Sequence, residues 1–191
     1  MAKKKGVEYK VTNMVASSNL GLELDLFLIA TKIPQVEYEP EQFPGAILKF
    51  DDPKATILLF KNGKIVCVGC KSERKISETI SKTLKMLTPY AKKIFKKQKR
   101  PKFEVTNIVA SANLGMGLDL YALAYELDNV EYEPEQFPGA ILKFRDPKAS
   151  LLLFKNGKVI CAGSKDEKSI QKALAKAKRL LKPFSSKVHK K

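Results

Sequence analysis

The sequence contains the same segment twice. Residues 11–89 align without a gap with residues 105–183 at a constant offset of 94, and 47 of the 79 aligned positions are identical. The longest identical run, VEYEPEQFPGAILKF, is found at Val36–Phe50 and at Val130–Phe144. The period is too long for a solenoid unit, and two copies are too few for a stacked array. The repeat therefore predicts near two-fold internal symmetry, which suits a nearly two-fold symmetric target such as duplex DNA.

The charge balance is the second constraint. The 191 residues carry a formal net charge of +16, which indicates a polyanionic partner, with nucleic acid first and an anionic membrane surface second. A lysine-rich solvated surface of the kind found in some thermophile proteins is the alternative. No apolar stretch approaches 18 residues, and the start MAKKKGVEYK lacks an apolar signal core, so we expect neither a transmembrane helix nor a secretory signal. Three cysteines, an odd number, favour reduced thiols in an intracellular protein.

Each copy has the same predicted order of elements, five strands and two helices. The first copy gives strands at 11–17, 36–38, 46–50, 56–60 and 65–69, and the second gives strands at 105–111, 130–132, 140–144, 150–154 and 159–163. Short helices are expected near 25–31 and 119–126, where Asp25 and Asp119 can cap the first turn. A longer amphipathic helix ends each copy, with Ile76, Ile80, Leu84 and Leu87 on one face in the first, and Ile170, Leu174 and Leu181 in the second.

The connections are also predicted from composition. The KNGK tetrapeptides at Lys61–Lys64 and Lys155–Lys158 predict tight hairpins with a type I′ turn. The segment KKIFKKQKRPK at Lys92–Lys102 reads as the end of a helix followed by the link between copies, and Ser185–Lys191 reads as a frayed basic tail. We therefore take 1–96 as the first repeat, with a basic tail at 1–7, and 97–191 as the second, with a basic tail at 185–191.

The strand at 56–60 is apolar at almost every position, so both of its faces need cover. Leu58, Phe60, Val66 and Val68 would share one face, whereas two helices can cover only the other. A second layer or a partner must bury the first face.

The pattern VTNMVAS…NLG…LDL…VEYEPEQFPGAILKF…LLF…NGK, written twice, resembles the TATA-box-binding protein family, in its archaeal form, over almost the whole chain. The resemblance implies an α+β saddle: one continuous ten-stranded antiparallel sheet with four helices on the convex side and a concave face that binds the minor groove. It implies a general transcription initiation factor that binds and kinks A·T-rich DNA and recruits transcription factor B and RNA polymerase. The family is a standard example of minor-groove kinking, so the kink is carried over from it.

The resemblance also assigns residue roles. Asn13 and Asn107 resemble paired donors to the groove, although a turn asparagine is the ordinary alternative. Phe43 with Phe60, and Phe137 with Phe154, resemble kinking wedges, although buried phenylalanines are usually core. Further groove contacts fall at Val15, Leu58, Val66, Val68, Val109, Leu152, Ile160 and Ala162. Phosphate contacts fall at Lys49, Lys64, Lys143 and Lys158, although surface lysines are usually only solvated. Glu133, Glu135 and Gln136 resemble the dock for transcription factor B.

Three features depart from the family pattern. Val68 and Ala162 stand where the family usually has a donating threonine, which costs about 0.5–1.5 kcal/mol per lost bond. The acidic loops Glu37–Gly45 and Glu131–Gly139 are identical, so they cannot set the binding orientation. The positive charge is strong for an archaeal relative. A paralogue that binds DNA with little selectivity, or acts mainly through protein partners, is therefore the second hypothesis, and a module fused to an enzyme is the third.

Other motifs carry no chemistry. The Cys67-Val-Gly-Cys70 motif stands alone, because Ser164 replaces its second cysteine in the other copy, and the only histidine, His189, lies in the tail. Asp51-Asp52 reads as a solvated turn. We expect no enzyme activity, metal or cofactor, no membrane partner, a cytoplasmic, nucleoid-associated location (nuclear if the source is eukaryotic), and a possible homodimer of the free protein through its apolar face.

Overall fold

The computed structural model describes residues 6–186. His189, most of the tail at 185–191 and residues 1–5 of the tail at 1–7 lie outside the described part. The described residues form two compact units, one of Asn13–Thr106 (the N-terminal unit) and one of 6–12 with 107–186 (the C-terminal unit). These are units of packing, whereas the divisions 1–96 and 97–191 follow the sequence repeat and stay a prediction.

The elements of the first half are named in chain order. The strands are β1 (Tyr9–Asn19), β2 (Leu22–Leu24), β3 (Val36–Glu37), β4 (Ala46–Asp51), β5 (Lys54–Leu59), β6 (Lys64–Cys70) and β7 (Ala91–Ile94). The helices are α1 (Leu26–Lys32) and α2 (Glu73–Leu87), followed by a 3-10 turn at Thr88–Tyr90.

The second half repeats this order. Its strands are β8 (Phe103–Asn113), β9 (Gly117–Leu118), β10 (Val130–Glu131), β11 (Ala140–Phe144), β12 (Ala149–Leu153), β13 (Lys158–Ser164) and β14 (Ser185–Ser186). The helices are α3 (Leu120–Glu126) and α4 (Glu167–Leu181), with a 3-10 turn at Lys182–Phe184. None of the helices within 6–186 combines the length and the apolar character needed to cross a bilayer.

The expected α+β fold is confirmed: ten strands form an antiparallel sheet, and four α-helices accompany it. In the N-terminal unit the strand order is β3-β4-β5-β6-β1, and in the C-terminal unit it is β10-β11-β12-β13-β8. The long strands β1 and β8 contribute residues to both units. In each unit one sheet face carries the core: α2 packs against β6, and α4 packs against β12 and β13.

The helices follow the sequence prediction. The carboxylates of Asp25 and Asp119 accept backbone N–H groups of the first turns of α1 and α3, as expected for N-caps. The predicted apolar faces of α2 and α4 are buried. Burial of such a face supplies most of the stability of a helix of this length.

Three local predictions were wrong. The hairpin turns are not type I′, because the described residues include no non-glycine residue with positive φ; only Gly63 (φ 75°) and Gly157 (φ 79°) are left-handed in these turns. In the first, the Gly63 N–H donates to the carbonyl of Phe60 and the Phe60 N–H to that of Lys64. This is a three-residue loop with a glycine bulge, which needs one left-handed residue rather than two. As a result β5 ends at Leu59, and Phe60 and Phe154 lie in the turns.

The other two errors concern the ends of the copies. The start of Lys92–Lys102 is not helical: α2 ends at Leu87, and Pro89, which lacks an N–H, stands in the 3-10 turn that follows. The chain then forms β7, which pairs with β2. Likewise Ser185–Ser186 is not frayed, because it forms β14 and pairs with β9.

Candidate nucleic-acid interface

Each unit has a sheet face that no helix covers, which we call the open face. In the N-terminal unit, half-buried Val15, Leu58, Val66 and Val68 alternate along their strands with fully buried neighbours. The register places Val68 beside Val15 and Val66 beside Leu58. In the C-terminal unit, Ile160 lies beside Leu152, and Val109, Leu152, Ile160 and Ala162 are all half-buried. The open faces are thus apolar surfaces without an intramolecular partner layer in 6–186.

The predicted donors Asn13 and Asn107 are each tied to a glycine in the adjacent strand. The Gly69 N–H donates to Oδ1 of Asn13 at 2.8 Å, and the Gly163 N–H donates to Oδ1 of Asn107 at 2.8 Å. Both glycines have positive φ and lie at the irregularity where β6 and β13 shift register against β1 and β8. A backbone N–H can be met only by the amide oxygen, so the Nδ2 donors remain free of this bond.

The sequence reasoning missed two hydroxyls on the open faces. Thr56 lies directly opposite Val68 in the β5–β6 pairing, and Ser150 lies opposite Ala162 in the β12–β13 pairing. Val68 and Ala162 are the two positions at which the family usually has a donating threonine. The signal was available in the strand alternation, because Thr56 faces the same side as Leu58 and Ser150 the same side as Leu152.

The predicted wedges meet in pairs. The rings of Phe43 and Phe60 lie 5.9 Å apart between centroids, and those of Phe137 and Phe154 lie 6.0 Å apart, both edge to face. Gly45 permits this arrangement, because an added Cβ would lie 2.7 Å from the Phe43 ring and 2.9 Å from the Leu59 carbonyl. A Cβ added at Gly139 would likewise lie 2.8 Å from the Phe137 ring. The glycine of the FPG motif is therefore a part of the site that sequence reasoning did not single out.

The four predicted phosphate-binding lysines fall into two groups. Lys49 forms an ion pair with Glu37 at 2.6 Å, and Lys143 forms one with Glu131 at 2.6 Å. Lys64 and Lys158 are exposed, and within 6–186 neither has a carboxylate at ion-pair distance. Half of this set is thus already neutralised by a neighbouring carboxylate.

The acidic loops differ in their surroundings although their sequences are identical. Glu133, Glu135 and Gln136 are exposed, and the Gln136 side chain donates to that of Glu133. Tyr132, in the same loop, packs edge to face on Tyr121 of α3, with ring centroids 5.1 Å apart. In the N-terminal unit the matching contact is between Tyr38 and Phe27 of α1, at 4.9 Å.

The cysteines do not form a reactive site. Cys67, Cys70 and Cys161 are free, as expected, and all three are buried. Burial, with the neighbouring Cys70, raises the pKa of Cys67, and burial raises the pKa of Cys161 to about 11. No group of three or more histidine, cysteine or acidic side chains in residues 6–186 is arranged to hold a metal ion.

Comparison with known proteins gives a consistent result. The family model described as "Transcription factor TFIID (or TATA-binding protein, TBP)" matches residues 8–90 and 102–184. The TATA-box-binding protein of Pyrodictium occultum is 44% identical over 172 residues, which cover 90% of this chain and 85% of that protein. The TATA-box-binding protein of Thermococcus celer is 41% identical over 179 residues, with 93% of each chain covered.

A solved structure agrees with these sequence matches. Methanococcus jannaschii TBP superposes with a TM-score of 0.83 at 36% sequence identity, covering 92% of this chain and 99% of that chain. The family model leaves residues 91–101 unmatched between its two ranges. That segment contains β7 and most of the basic stretch at Lys92–Lys102.

Proposed function

Because the chain belongs to the TATA-binding protein family, a family of transcription factors, we propose that it binds and kinks A·T-rich promoter DNA through the minor groove. In this role it is a general initiation factor that recruits transcription factor B and RNA polymerase. Its place of action is the cytoplasmic nucleoid, as in an archaeal cell. The observation that carries the proposal is the fixed amide of Asn13 and Asn107, whose oxygens are held by glycine N–H groups.

The chemistry of the groove explains this choice. At A·T pairs the minor groove offers only the acceptors adenine N3 and thymine O2, and at G·C pairs a guanine amino group interrupts them. An amide whose oxygen is already bonded presents only N–H donors, so it favours acceptors. Apolar contacts from Val15, Leu58 and Val66, with Val109, Leu152 and Ile160, exclude water around these few bonds. The hydroxyls of Thr56 and Ser150 add donors beside Val68 and Ala162.

The phenylalanine pairs support kinking. Unstacking a base step costs a few kcal/mol, which the added contact with bent DNA offsets. A ring held edge to face by its partner and backed by the backbone at Gly45 or Gly139 loses little conformational freedom on insertion. Lys64 and Lys158 provide phosphate contacts directly, whereas Lys49 and Lys143 exchange Glu37 and Glu131 for phosphate.

Protein partners are proposed for other surfaces. Glu133, Glu135 and Gln136 bind transcription factor B through their exposed polar groups. In the absence of DNA, the apolar open faces allow the protein to form homodimers.

Selectivity distinguishes this function from the alternative, a paralogue that binds DNA with little discrimination. Affinity is measured at one fixed moderate salt concentration for a TATA duplex and for a G·C-scrambled duplex of equal length. We expect at least tenfold tighter binding to the TATA duplex and a supershift of that complex by transcription factor B. Equal affinities with a steep salt dependence would favour the alternative.

Bending tests the wedge assignment separately. We expect Phe43→Ala with Phe60→Ala, and Phe137→Ala with Phe154→Ala, each to reduce the bend angle measured by energy transfer between the ends of a labelled duplex. The control is Phe27→Ala, which also removes one ring of an edge-to-face pair but lies on α1. An unchanged bend angle in both double variants would refute the wedges.

A further inference from the structure

The segment that the family model leaves unmatched, residues 91–101, is strongly basic. We call it the basic insert because it stands between the two matched repeats. Its eleven residues contain no acidic residue and six basic ones: Lys92, Lys93, Lys96, Lys97, Lys99 and Arg100. It joins the two repeats that the family model matches.

The basic insert is held in place by backbone contacts with the N-terminal unit. β7 pairs with β2, and the N–H groups of Phe95 and Lys96 donate to the carbonyl of Gly21 at 2.8 and 3.2 Å. Further along, the Gln98 side chain donates to the carbonyl of Asn19 at 2.8 Å. These contacts hold the insert against the N-terminal unit.

Gly21 allows the insert to approach this closely. An added Cβ at Gly21 would lie 3.0 Å from both Cβ and the carbonyl oxygen of Lys96. At the equivalent Gly115 of the C-terminal unit an added Cβ would meet no other atom of residues 6–186 within 4 Å. The two glycines have similar left-handed φ values, 68° and 73°, so a side chain strains the backbone equally at both.

Most of the charge of the insert is not neutralised within the described residues. Lys92 pairs with Asp25 at 3.2 Å, and Lys93 lies over the ring of Phe95. The remaining four, Lys96, Lys97, Lys99 and Arg100, are exposed and have no carboxylate within ion-pair distance in 6–186. Four adjacent free cations create a local positive field that a polyanion would neutralise.

The insert lies next to one end of the open face of the N-terminal unit. Asn19, which anchors Gln98, lines a hollow of about 500 Å³ together with the wedge residue Phe60 and the predicted phosphate contact Lys64. The insert is thus a neighbour of Phe60 and Lys64 across this hollow.

We propose that the basic insert binds the phosphate backbone of the duplex that flanks the A·T-rich site, beyond the Phe43–Phe60 pair. This inference rests on the proposed function, since it takes the open face as the DNA site. The insert reads no sequence, because lysine and arginine contacts to phosphates position a protein without specifying bases. Its effect is to lengthen the footprint on one side and to increase the salt dependence of binding.

The test compares two TATA duplexes, one limited to the site and one with about ten additional base pairs on each side. The variant replaces Lys96, Lys97, Lys99 and Arg100 with alanine. Each phosphate contact contributes about 0.9 to the slope of log affinity against log salt concentration. On the long duplex we expect the slope of the variant to be smaller than that of the wild type by about 2–4, and on the short duplex we expect equal slopes.

The control variant removes the same charges from α4, by replacing exposed Lys168, Lys172, Lys178 and Arg179 with alanine. It should match the wild type on both duplexes. Equal slopes for the insert variant and the wild type on the long duplex would overturn the proposal, and so would an equal loss on both duplexes.

A second pair of variants changes no charge. Gly21→Ala should displace the insert and reduce the slope on the long duplex, whereas Gly115→Ala, with the same backbone strain, should not. An identical effect of both substitutions would count against the proposal. If the wild type bound the TATA duplex and the G·C-scrambled duplex equally, the proposed function would be refuted. The proposal for the insert would not be refuted by that result, because it is tested by the difference between long and short duplexes.

Discussion

The amide groups of Asn13 and Asn107 each make one structural bond, and in the proposed function each also makes a bond to DNA. Each carbonyl oxygen completes the hydrogen bonding of a glycine whose N–H is turned away from the regular ladder. The amino group of the same side chain is then left to act on a ligand. Aspartate can keep the first role and lose the second, because a carboxylate accepts hydrogen bonds but donates none.

We therefore expect the double variant Asn13→Asp with Asn107→Asp to fold normally. Its binding free energy for a TATA duplex should be weaker by at least about 1–3 kcal/mol, the sum for two lost hydrogen bonds. The measurements are thermal melting and anisotropy with a TATA duplex. Asn19→Asp with Asn113→Asp is the matched control, because Asn19 and Asn113 also accept the N–H of a left-handed glycine at 2.8 Å. A loss shared by both pairs is due to added charge, and no excess loss at 13 and 107 would contradict the donor role.

The ion pairs Lys49–Glu37 and Lys143–Glu131 predict variants that bind DNA more tightly than the wild type. Glu37→Gln with Glu131→Gln removes the carboxylates that compete with phosphate for these lysines. Exposed pairs contribute little to stability, so the melting temperature should hardly change. Affinity at low salt should rise, and the salt slope should steepen by up to about 0.9 for each lysine released.

The control for this pair is Glu73→Gln with Glu78→Gln, which changes the net charge equally on α2. If the α2 variant gains as much affinity as the strand variant, the effect is one of total charge. In that case Lys49 and Lys143 are not phosphate contacts.

At the scale of elements, the sequence predicted those helices and strands that depend on local chemistry. Asp25 and Asp119 begin short helices because their carboxylates cap the first turn, and the apolar period of α2 and α4 fixes their buried faces. β7 and β14 were missed because their pairing partners, β2 and β9, are distant in the chain and only two or three residues long. The turn type was missed because the bulge depends on strand geometry beyond the Asn-Gly pair.

The N-caps of α2 and α4 give a prediction at this scale, since Ser72 and Asp166 occupy equivalent positions. The backbone N–H of Ser169, and next its hydroxyl, hold the pKa of Asp166 below its ordinary value of 3.8. A lowered pKa in the folded state means that the charged carboxylate adds stability above about pH 4 and that this stability is lost as the pH falls through the folded value.

We expect Asp166→Ser to lower the melting temperature near neutral pH and to match the wild type in acid. Ser72→Asp should do the reverse, raising the melting temperature near neutral pH and losing the gain in acid. Both variants keep a capping side chain, so the pH dependence isolates the charge. A difference in melting temperature between wild type and variant that stays the same across the pH range would contradict the assignment.

At the scale of the whole molecule, the repeat raises the question of what makes one half of the protein bind a partner that the other half does not bind. The acidic loops Glu37–Gly45 and Glu131–Gly139 are identical, but the helices beside them are not. Next to the second loop, α3 exposes Tyr121, Tyr125 and Glu126, whereas α1 exposes Phe27, Thr31 and Lys32 at the equivalent positions. A partner that binds the loop through basic residues gains from Glu126 and is repelled by Lys32.

This difference predicts which loop recruits transcription factor B. Glu133→Arg should abolish the supershift of the DNA complex, because a basic group replaces an exposed acceptor, whereas Glu39→Arg at the equivalent position should leave it intact. DNA binding without the partner is measured alongside, and both variants should retain it. Thr31→Tyr with Lys32→Glu then gives the first loop the surroundings of the second. It should restore recruitment in the Glu133→Arg background, and failure to do so would show that polarity comes from elsewhere in the chain or from the DNA.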